Sequence, residues 1–293
     1  MAVSASTSTS PSMATAMTVA QALAAGLALG LDRLDAQLLL LHALGKPQTD
    51  RAWLIAHDSD SLGLDNSSNF LALATRRAGG EPLAYICGHK EFFGLDLAVD
   101  KRVLVPRPDT ETLVAWALEV LGAASGDVLD LGTGSGAVAL ALKHARPDLT
   151  VCATDFSSDA LAVARANAAR LNLAVDFSQG SWLGAVTGRF HAIVSNPPYI
   201  AALDPHLAAL GHEPLQALTS GADGLDDIRQ IIAQAPGHLH PGAWLLLEHG
   251  FDQAAAVRSL LGAAGFAEVQ SRRDLGGIER CSGGKMGVNS SNL

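Results

Sequence analysis

The sequence predicts an α/β fold, a largely parallel sheet covered by helices on both faces, preceded by a small helical bundle and a short strand linker. Three observations carry this. From Asp127 onward, apolar runs of four to six residues alternate with helix-length segments, the pattern of β-α units whose strands are buried on both sides. Before residue 80 the apolar spacing is helical. Between these regions lie two short runs rich in aromatic and branched residues.

In chain order, residues 1–16 are of low complexity and read as a disordered tail. Thr18 is placed to cap a helix through Gly30, and Leu34–Leu44 reads as a second, with Leu38, Leu39, Leu41 and His42 crowding one face. Asp50 is placed to cap Arg51–His57, and Ser68–Ala78 reads as a fourth helix ending before Gly79-Gly80. Residues 17–80 therefore form the helical bundle. Residues 81–105 read as a β-hairpin linker, with strands at Tyr85–Gly88 and Phe92–Val99. Pro106-Arg-Pro-Asp-Thr-Glu111 follows; its prolines keep the backbone extended and Asp109 is placed to cap a helix at Thr110–Leu121. Residues 106–285 make the large α/β domain. Its strands are expected at Val128–Leu131, Thr150–Thr154, Val175–Ser178, His191–Ser195 and Ala243–Glu248, and its helices at Ala137–His144, Ser158–Leu171, Gly224–Ala235 and Gln253–Ala264. Glu279-Arg-Cys-Ser-Gly-Gly-Lys285 is a weak strand sequence, and Met286–Leu293 reads as a polar tail.

The chain has 293 residues, a net charge of −9, 48% hydrophobic and 17% charged residues. That balance excludes intrinsic disorder. No basic footprint for nucleic acid appears, and most of the negative charge lies beyond residue 102. Cys87, Cys152 and Cys281 are far apart and form no disulfide framework, which fits a reducing cytoplasm. The uncharged first segment lacks the basic start of an export signal, and Val19–Leu31 is shorter than the roughly 20 residues that span a bilayer. His89, His191, His212, His238, His240 and His249 have no ligand spacing, so no metal is expected.

Asp130-Leu-Gly132-Thr133-Gly134-Ser135-Gly136 follows a strand and opens a helix. Glycines there let the chain turn tightly and a ligand approach the backbone, at the sheet edge where such folds bind ligands. Asp155 ends the next strand, about 20 residues on, placed to accept from ribose hydroxyls. A structural turn and a dinucleotide site are alternatives. Asp130 beside the loop would repel a pyrophosphate but suits an ammonium and a sulfonium, which favours S-adenosylmethionine. Trp182 falls at the tip of the third strand, where its face can stack on an adenine.

Asn196-Pro197-Pro198-Tyr199 follows an apolar strand and is the strongest chemical signal. Two prolines remove two backbone donors and stiffen the loop. The Pro197 carbonyl and the Asn196 side-chain oxygen can together accept both hydrogens of one NH2 group, and Tyr199 offers a flat face to a planar amide or base. The pattern points to methyl transfer onto a planar nitrogen.

These residues, with Leu34-Asp-Ala-Gln-Leu-Leu-Leu40, Glu81-Pro-Leu-Ala-Tyr-Ile-Cys-Gly88, Glu91-Phe-Phe-Gly94, Val105–Glu111, Glu213-Pro-Leu-Gln-Ala-Leu218 and Leu247-Glu-His-Gly250, resemble the HemK/PrmC family, the protein-glutamine N5-methyltransferases of translation termination. The resemblance implies a Rossmann-like, seven-stranded class I methyltransferase domain ending on an antiparallel strand. It implies S-adenosyl-L-methionine as cofactor and class I peptide chain release factors as protein partners, methylated on the glutamine of a Gly-Gly-Gln tip. It implies no direct nucleic acid and no membrane. By motif, Asp130, Gly132, Thr133, Gly134, Ser135, Gly136, Asp155, Trp182 and Asn196 would bind the cofactor. Asn196, Pro197, Pro198 and Tyr199 would hold the glutamine amide, with Asn196, Pro197 and Tyr199 catalytic. Arg107 to Glu111 would line the interdomain side of the site. The family often has an acidic residue before this tryptophan; here it is Ser181.

Three alternatives share some of these features. A sister enzyme methylating a ribosomal-protein glutamine would have the same fold and loop. A DNA adenine-N6 methyltransferase uses a similar loop on a flipped base, but the acidic charge and the missing basic recognition domain oppose it. A non-catalytic or dinucleotide-binding protein would have no use for Asn196–Tyr199.

Overall fold

In this computed structural model, residues 16–123 and 125–287 are described. The expected tails at 1–16 and 286–293 lie almost wholly outside them. The chain divides into two compact units, Met1–Cys87 and Gly88–Leu293.

The first unit is helical, with α1 (Val19–Ala28), α2 (Arg33–Ala43), α3 (Arg51–Ala56), α4 (Gly63–Ala78) and α5 (Leu83–Cys87). Thr18 opens α1 through a capping box: its hydroxyl accepts from the Gln21 amide, and the Gln21 side chain accepts from the Thr18 amide. Asp32 caps α2 through the Asp35 amide at 2.7 Å. Gly26 lets α1 close onto its neighbours, since a Cβ there would lie 3.1 Å from Ala36 and 3.2 Å from the Phe70 ring. Leu39, Leu40, Leu41, Leu54 and Phe70 form the buried centre. The Asp35–Arg77 ion pair, 2.5 Å, ties α2 to α4.

Three sequence expectations are corrected here. Asp50 makes no capping bond to α3, and α4 begins at Gly63 rather than Ser68. Tyr85–Gly88 is not a strand. Leu83–Cys87 is one short helix that Pro82 initiates, the Tyr85 amide bonding to the Pro82 carbonyl, with Ala84, Ile86 and Cys87 buried. A five-residue apolar run is too short for its period to separate helix from strand.

The second unit opens with a hairpin, β1 (His89–Phe92) and β2 (Leu95–Ala98), turned at Phe93-Gly94 with both φ positive. A 3-10 turn at Pro108–Thr110 leads into α6 (Glu111–Leu121), which Asp109 does not cap. The remainder builds one sheet from β3 (Asp127–Leu131), β4 (Thr150–Asp155), β5 (Asp176–Gln179), β6 (Phe190–Ser195), β7 (Leu239–Glu248), β8 (Phe266–Arg273) and β9 (Glu279–Met286), interspersed with α7 (Ala137–Ala145), α8 (Ser158–Leu171), α9 (Asp226–Gln234) and α10 (Ala254–Ala263). The order is β5-β4-β3-β6-β7-β9-β8, parallel except for β9, which runs antiparallel to both neighbours.

Alternation along the central strands fills two cores. Val128, Ala192, Val194, Trp244 and Leu246 face α6 and α7. Leu129, Leu131, Ile193, Leu245 and Leu247 face α9 and α10. β8 has no counterpart among the strand runs legible in the sequence, and Met286, expected in a tail, closes β9 opposite Phe266. No helix among the described residues is long and apolar enough to cross a membrane.

Candidate active site

A cleft of about 940 Å³, including its open mouth, lies at the carboxyl ends of β3, β4 and β6. Gly132, Gly134, Asp155, Trp182, Asn196 and Pro198 all line it. The glycine loop turns from β3 into α7 with positive φ at Gly132, Gly134 and Gly136, conformations that a side chain resists. The Gly132 and Thr133 amides both bond to the Thr154 carbonyl. A Cβ on Gly132 would stand 3.2 Å from the Trp182 ring, whereas one on Gly134 would meet nothing within 4 Å. Trp182 itself adopts φ 49°, a strained value held by its Nε1 donating to Asp227 at 3.0 Å.

Asp155 accepts from the Gly134 amide through Oδ2 and from the Ser157 amide through Oδ1, both at 2.8 Å. Burial raises its carboxyl above the ordinary aspartate range. Asp130, Thr133, Ser135 and Gly136 are not brought to the cleft wall. Asp130 belongs to the β3 face that meets α7, and its carboxyl accepts from Thr133 Oγ1 at 2.6 Å and the Ala139 amide at 3.2 Å. It is 1% exposed, and burial pushes it up to about 7 despite those bonds. Thr133 and Ser135 are buried, and Gly136 packs where a Cβ would meet Leu140 at 3.0 Å.

Asn196 directly follows β6. Its Nδ2 donates to Thr110 Oγ1 at 3.1 Å, while its Oδ1 is buried and has no hydrogen-bond partner among the described residues. Pro198 lines the cleft; Pro197 and Tyr199 do not. The Tyr199 carbonyl accepts from Gln253 Nε2 at 2.9 Å, and its hydroxyl lies 3.5 Å from Glu248 Oε1. Gly224 allows this approach, since any Cβ there would come within 2.2 Å of the Tyr199 carbonyl oxygen. After Tyr199 the chain makes an excursion and returns, Ile200 pairing with Thr219, and Pro214, Gln216 and Ala217 from that excursion line the cleft.

Sequence reasoning missed several contributors. Phe156, 70% exposed, follows Asp155 on the cleft rim. Glu213 is buried and binds both Arg107 and the Val105 amide. It thereby joins the excursion to the Arg102–Leu104 segment of the cleft wall. Both peptides are motifs in the sequence, but only the fold shows that they are one interaction. Asn167, fully buried, bonds to both backbone atoms of Ala98 and to the Ser135 carbonyl, bracing the glycine loop against the hairpin. Glu248, also buried, lies beside the Tyr199 hydroxyl.

Comparison with known proteins now decides the family. The family described as "Methyltransferase small domain" matches residues 109–218, and "PrmC N-terminal domain" matches residues 17–88. A "Release factor glutamine methyltransferase" of Burkholderia pseudomallei is 51% identical over 267 residues, covering 87% of this chain and 93% of that protein. One of the same name from Pseudomonas aeruginosa is 52% identical over 257 residues, covering 86% and 92%.

The chain belongs to the release factor glutamine methyltransferase family.

Solved structures agree on the fold. The hMettl16 catalytic domain in complex with the MAT2A 3'UTR hairpin 6 aligns with a TM-score of 0.58 at 16% identity, covering 74% of this chain and 83% of that one. A methyltransferase from Pyrococcus furiosus aligns at 0.53 and 22% identity, covering 67% and 91%. The seven-stranded class I methyltransferase sheet that the family resemblance implies is the sheet observed. The N-terminal family match ends one residue beyond the first compact unit.

Proposed function

We propose that this chain transfers a methyl group from S-adenosylmethionine to the side-chain amide nitrogen of the glutamine in the Gly-Gly-Gln tip of class I release factors, in the cytoplasm. One observation carries the reading: the buried, unpartnered Asn196 Oδ1 at the wall of a glycine-loop cleft. A buried acceptor without a donor costs free energy unless a ligand supplies one, and a primary amide does.

The cleft fits the donor. A cradle at Gly132 that a side chain would fill, a carboxylate at the end of β4, and the faces of Trp182 and Phe156 suit a nucleoside with ribose hydroxyls. Gly132, Gly134, Asp155 and Trp182 would hold it, with Asn196 touching its edge while acting mainly on the target. Asp130, Thr133, Ser135 and Gly136 act through the shape of the loop. Bound S-adenosylmethionine supplies an electrophilic methyl group on a sulfonium.

The protein's task is to make an amide nitrogen nucleophilic. Its lone pair is delocalised into its own carbonyl. Asn196 Oδ1 and the Pro197 carbonyl accept its two hydrogens, which favours rehybridisation and aims the lone pair at the cleft. Tyr199 and Pro198 support the amide plane. These are contributions of position and electrostatics. After transfer the nitrogen is acidic and loses its proton to water.

The test incubates the protein with methyl-labelled S-adenosylmethionine and, separately, release factor, ribosomal proteins and duplex DNA, then maps the label by mass spectrometry. Label on the Gly-Gly-Gln glutamine is the expected result. Label only on a ribosomal protein or on adenine would overturn the substrate assignment.

A further inference from the structure

The role given to Asn196 needs one of its two amide orientations, because Oδ1 accepts and Nδ2 cannot. Thr110 sets that orientation. Its Oγ1 accepts from Nδ2 at 3.1 Å, so Oδ1 is left facing elsewhere, buried and unpartnered. Yet a hydroxyl both donates and accepts, and a Thr110 hydroxyl that donated would favour the reversed amide. The outcome depends on where the Thr110 proton goes.

Glu248 is placed to take it. It ends β7, and its side chain continues the Trp244, Leu246 alternation toward the α6 face, where Thr110 sits at the helix start. Glu248 Oε2 is buried and has no hydrogen-bond partner among the described residues, an acceptor that lacks a proton donor, and the Thr110 hydroxyl acts on this carboxyl in the direction of its ionised form. A carboxylate is acceptor-only. It draws the Thr110 proton and leaves the hydroxyl lone pairs for Asn196 Nδ2.

We propose that Glu248 and Thr110 are positioning residues for methyl transfer: ionised Glu248 orients the Thr110 hydroxyl, and Thr110 fixes Asn196 with Oδ1 free for the target amide. The proposal rests on the Asn196 role given above.

The groups around Glu248 come from three places. Asp109 and Thr110 precede α6, as does Arg107, which acts on Tyr199; Tyr199 follows β6; Arg280 and Cys281 belong to β9. Arg280 is shared, 3.3 Å from Asp274 and 3.6 Å from Asp109. Burial and Asp109 raise the Glu248 carboxyl, Thr110, Arg280 and Tyr199 lower it, and it stands at about 7. Below that pH a protonated Glu248 can donate to Thr110, and Thr110 can then donate to a reversed Asn196. The productive orientation therefore gains population as pH rises through neutrality.

Two measurements test this. The first needs no substrate: the side-chain NH2 signals of Asn196 are followed by nitrogen-edited NMR from pH 5.5 to 8.5, assigned by their loss in Asn196→Asp. An inflection near pH 7 that vanishes in Glu248→Gln is expected. An inflection that survives Glu248→Gln, or no inflection at all, overturns the proposal whether or not release factor is the substrate. The second measures kcat with release factor and donor affinity by calorimetry. Thr110→Val and Glu248→Gln should each lower kcat about tenfold or more, the scale of one oriented hydrogen bond, with donor affinity unchanged. Thr110→Ser should recover most of the rate, and Glu248→Gln should abolish the rise of kcat near pH 7. Wild-type kcat in folded Thr110→Val, or equal losses in Thr110→Ser and Thr110→Val, would sink the proposal. Label on no release factor, with the NMR inflection intact, would reject the substrate and leave the positioning pair standing.

Discussion

The Gly134 amide donates to the Asp155 carboxylate at 2.8 Å, tying the end of β4 to the middle of the glycine loop. One side chain thus shapes the loop and faces the cleft. Asp155→Ala removes both an acceptor for the ligand and the brace on Gly134. Hydrogen bonds to charged groups are worth about 1.5–3 kcal/mol, so donor affinity should fall roughly tenfold to a hundredfold. Titration calorimetry with S-adenosylmethionine measures this, and an unchanged affinity would refute the assignment.

Asp130 should make stability depend on pH. Its carboxyl is raised by burial from the ordinary aspartate value to about 7 in the fold. A raised acid favours the folded state in its protonated form. That contribution is complete below about pH 4 and is lost as pH rises through about 7. The surface carboxylates held low by arginine, such as Asp223 beside Arg229, act in the opposite sense and at lower pH. Asp130→Asn, which keeps an acceptor for Thr133 and Ala139, should flatten the fall in Tm between pH 5 and pH 8. Thermal scans in which the variant and wild type decline in parallel would show that Asp130 does not titrate there.

Asn196→Ala should separate binding from transfer. Donor affinity should stay within about threefold of wild type. The residue's amide oxygen acts mainly on the target, and loss of one such preorganised group costs about 10²–10³ in kcat. Single-turnover transfer to release factor, with donor binding measured in parallel, reads both quantities. A variant that loses donor affinity and transfer together would move Asn196 from the target side of the cleft to the donor side.

The sheet, its alternation with helices and both loops that meet in the cleft were legible because each is a local pattern. Strand runs such as Ala192–Val194 and Leu245–Leu247 are continuous and apolar, and glycine and proline mark turns by their own backbone limits. Three kinds of feature were not local. Asp130 adjoins the loop in sequence, which points it at a ligand, but strand alternation turns it toward α7 instead. Glu213 and Arg107 are far apart in sequence, so their pairing exists only in the fold. In the sequence Glu248 is only the end of an apolar strand and part of a family motif, and its link to Tyr199 and, through Thr110, to Asn196 exists only in the fold.

The last strand was the hardest to read, and its glycines explain why. Gly283 and Gly284 lower strand propensity, yet β9 lies between β7 and β8 and pairs with both. The glycines are required by what covers them. A Cβ on Gly283 would come 2.5 Å from a Leu246 methyl, 2.7 Å from the Leu245 carbonyl oxygen and 2.9 Å from the Trp116 ring. The leucine methyl can rotate away, but the carbonyl belongs to the adjacent strand and cannot move without breaking the ladder. Trp116 is 2% exposed and packs on Trp244 with ring centroids 6.0 Å apart, so it has nowhere to go. Gly283→Ala should therefore destabilise the second unit by about 3 kcal/mol, the upper range for overpacking, and lower its Tm by roughly 6–12 °C. Intrinsic fluorescence should report the displaced tryptophans in the native state. An alanine variant that melts with wild type would mean that β9 stands farther from α6 than these contacts require.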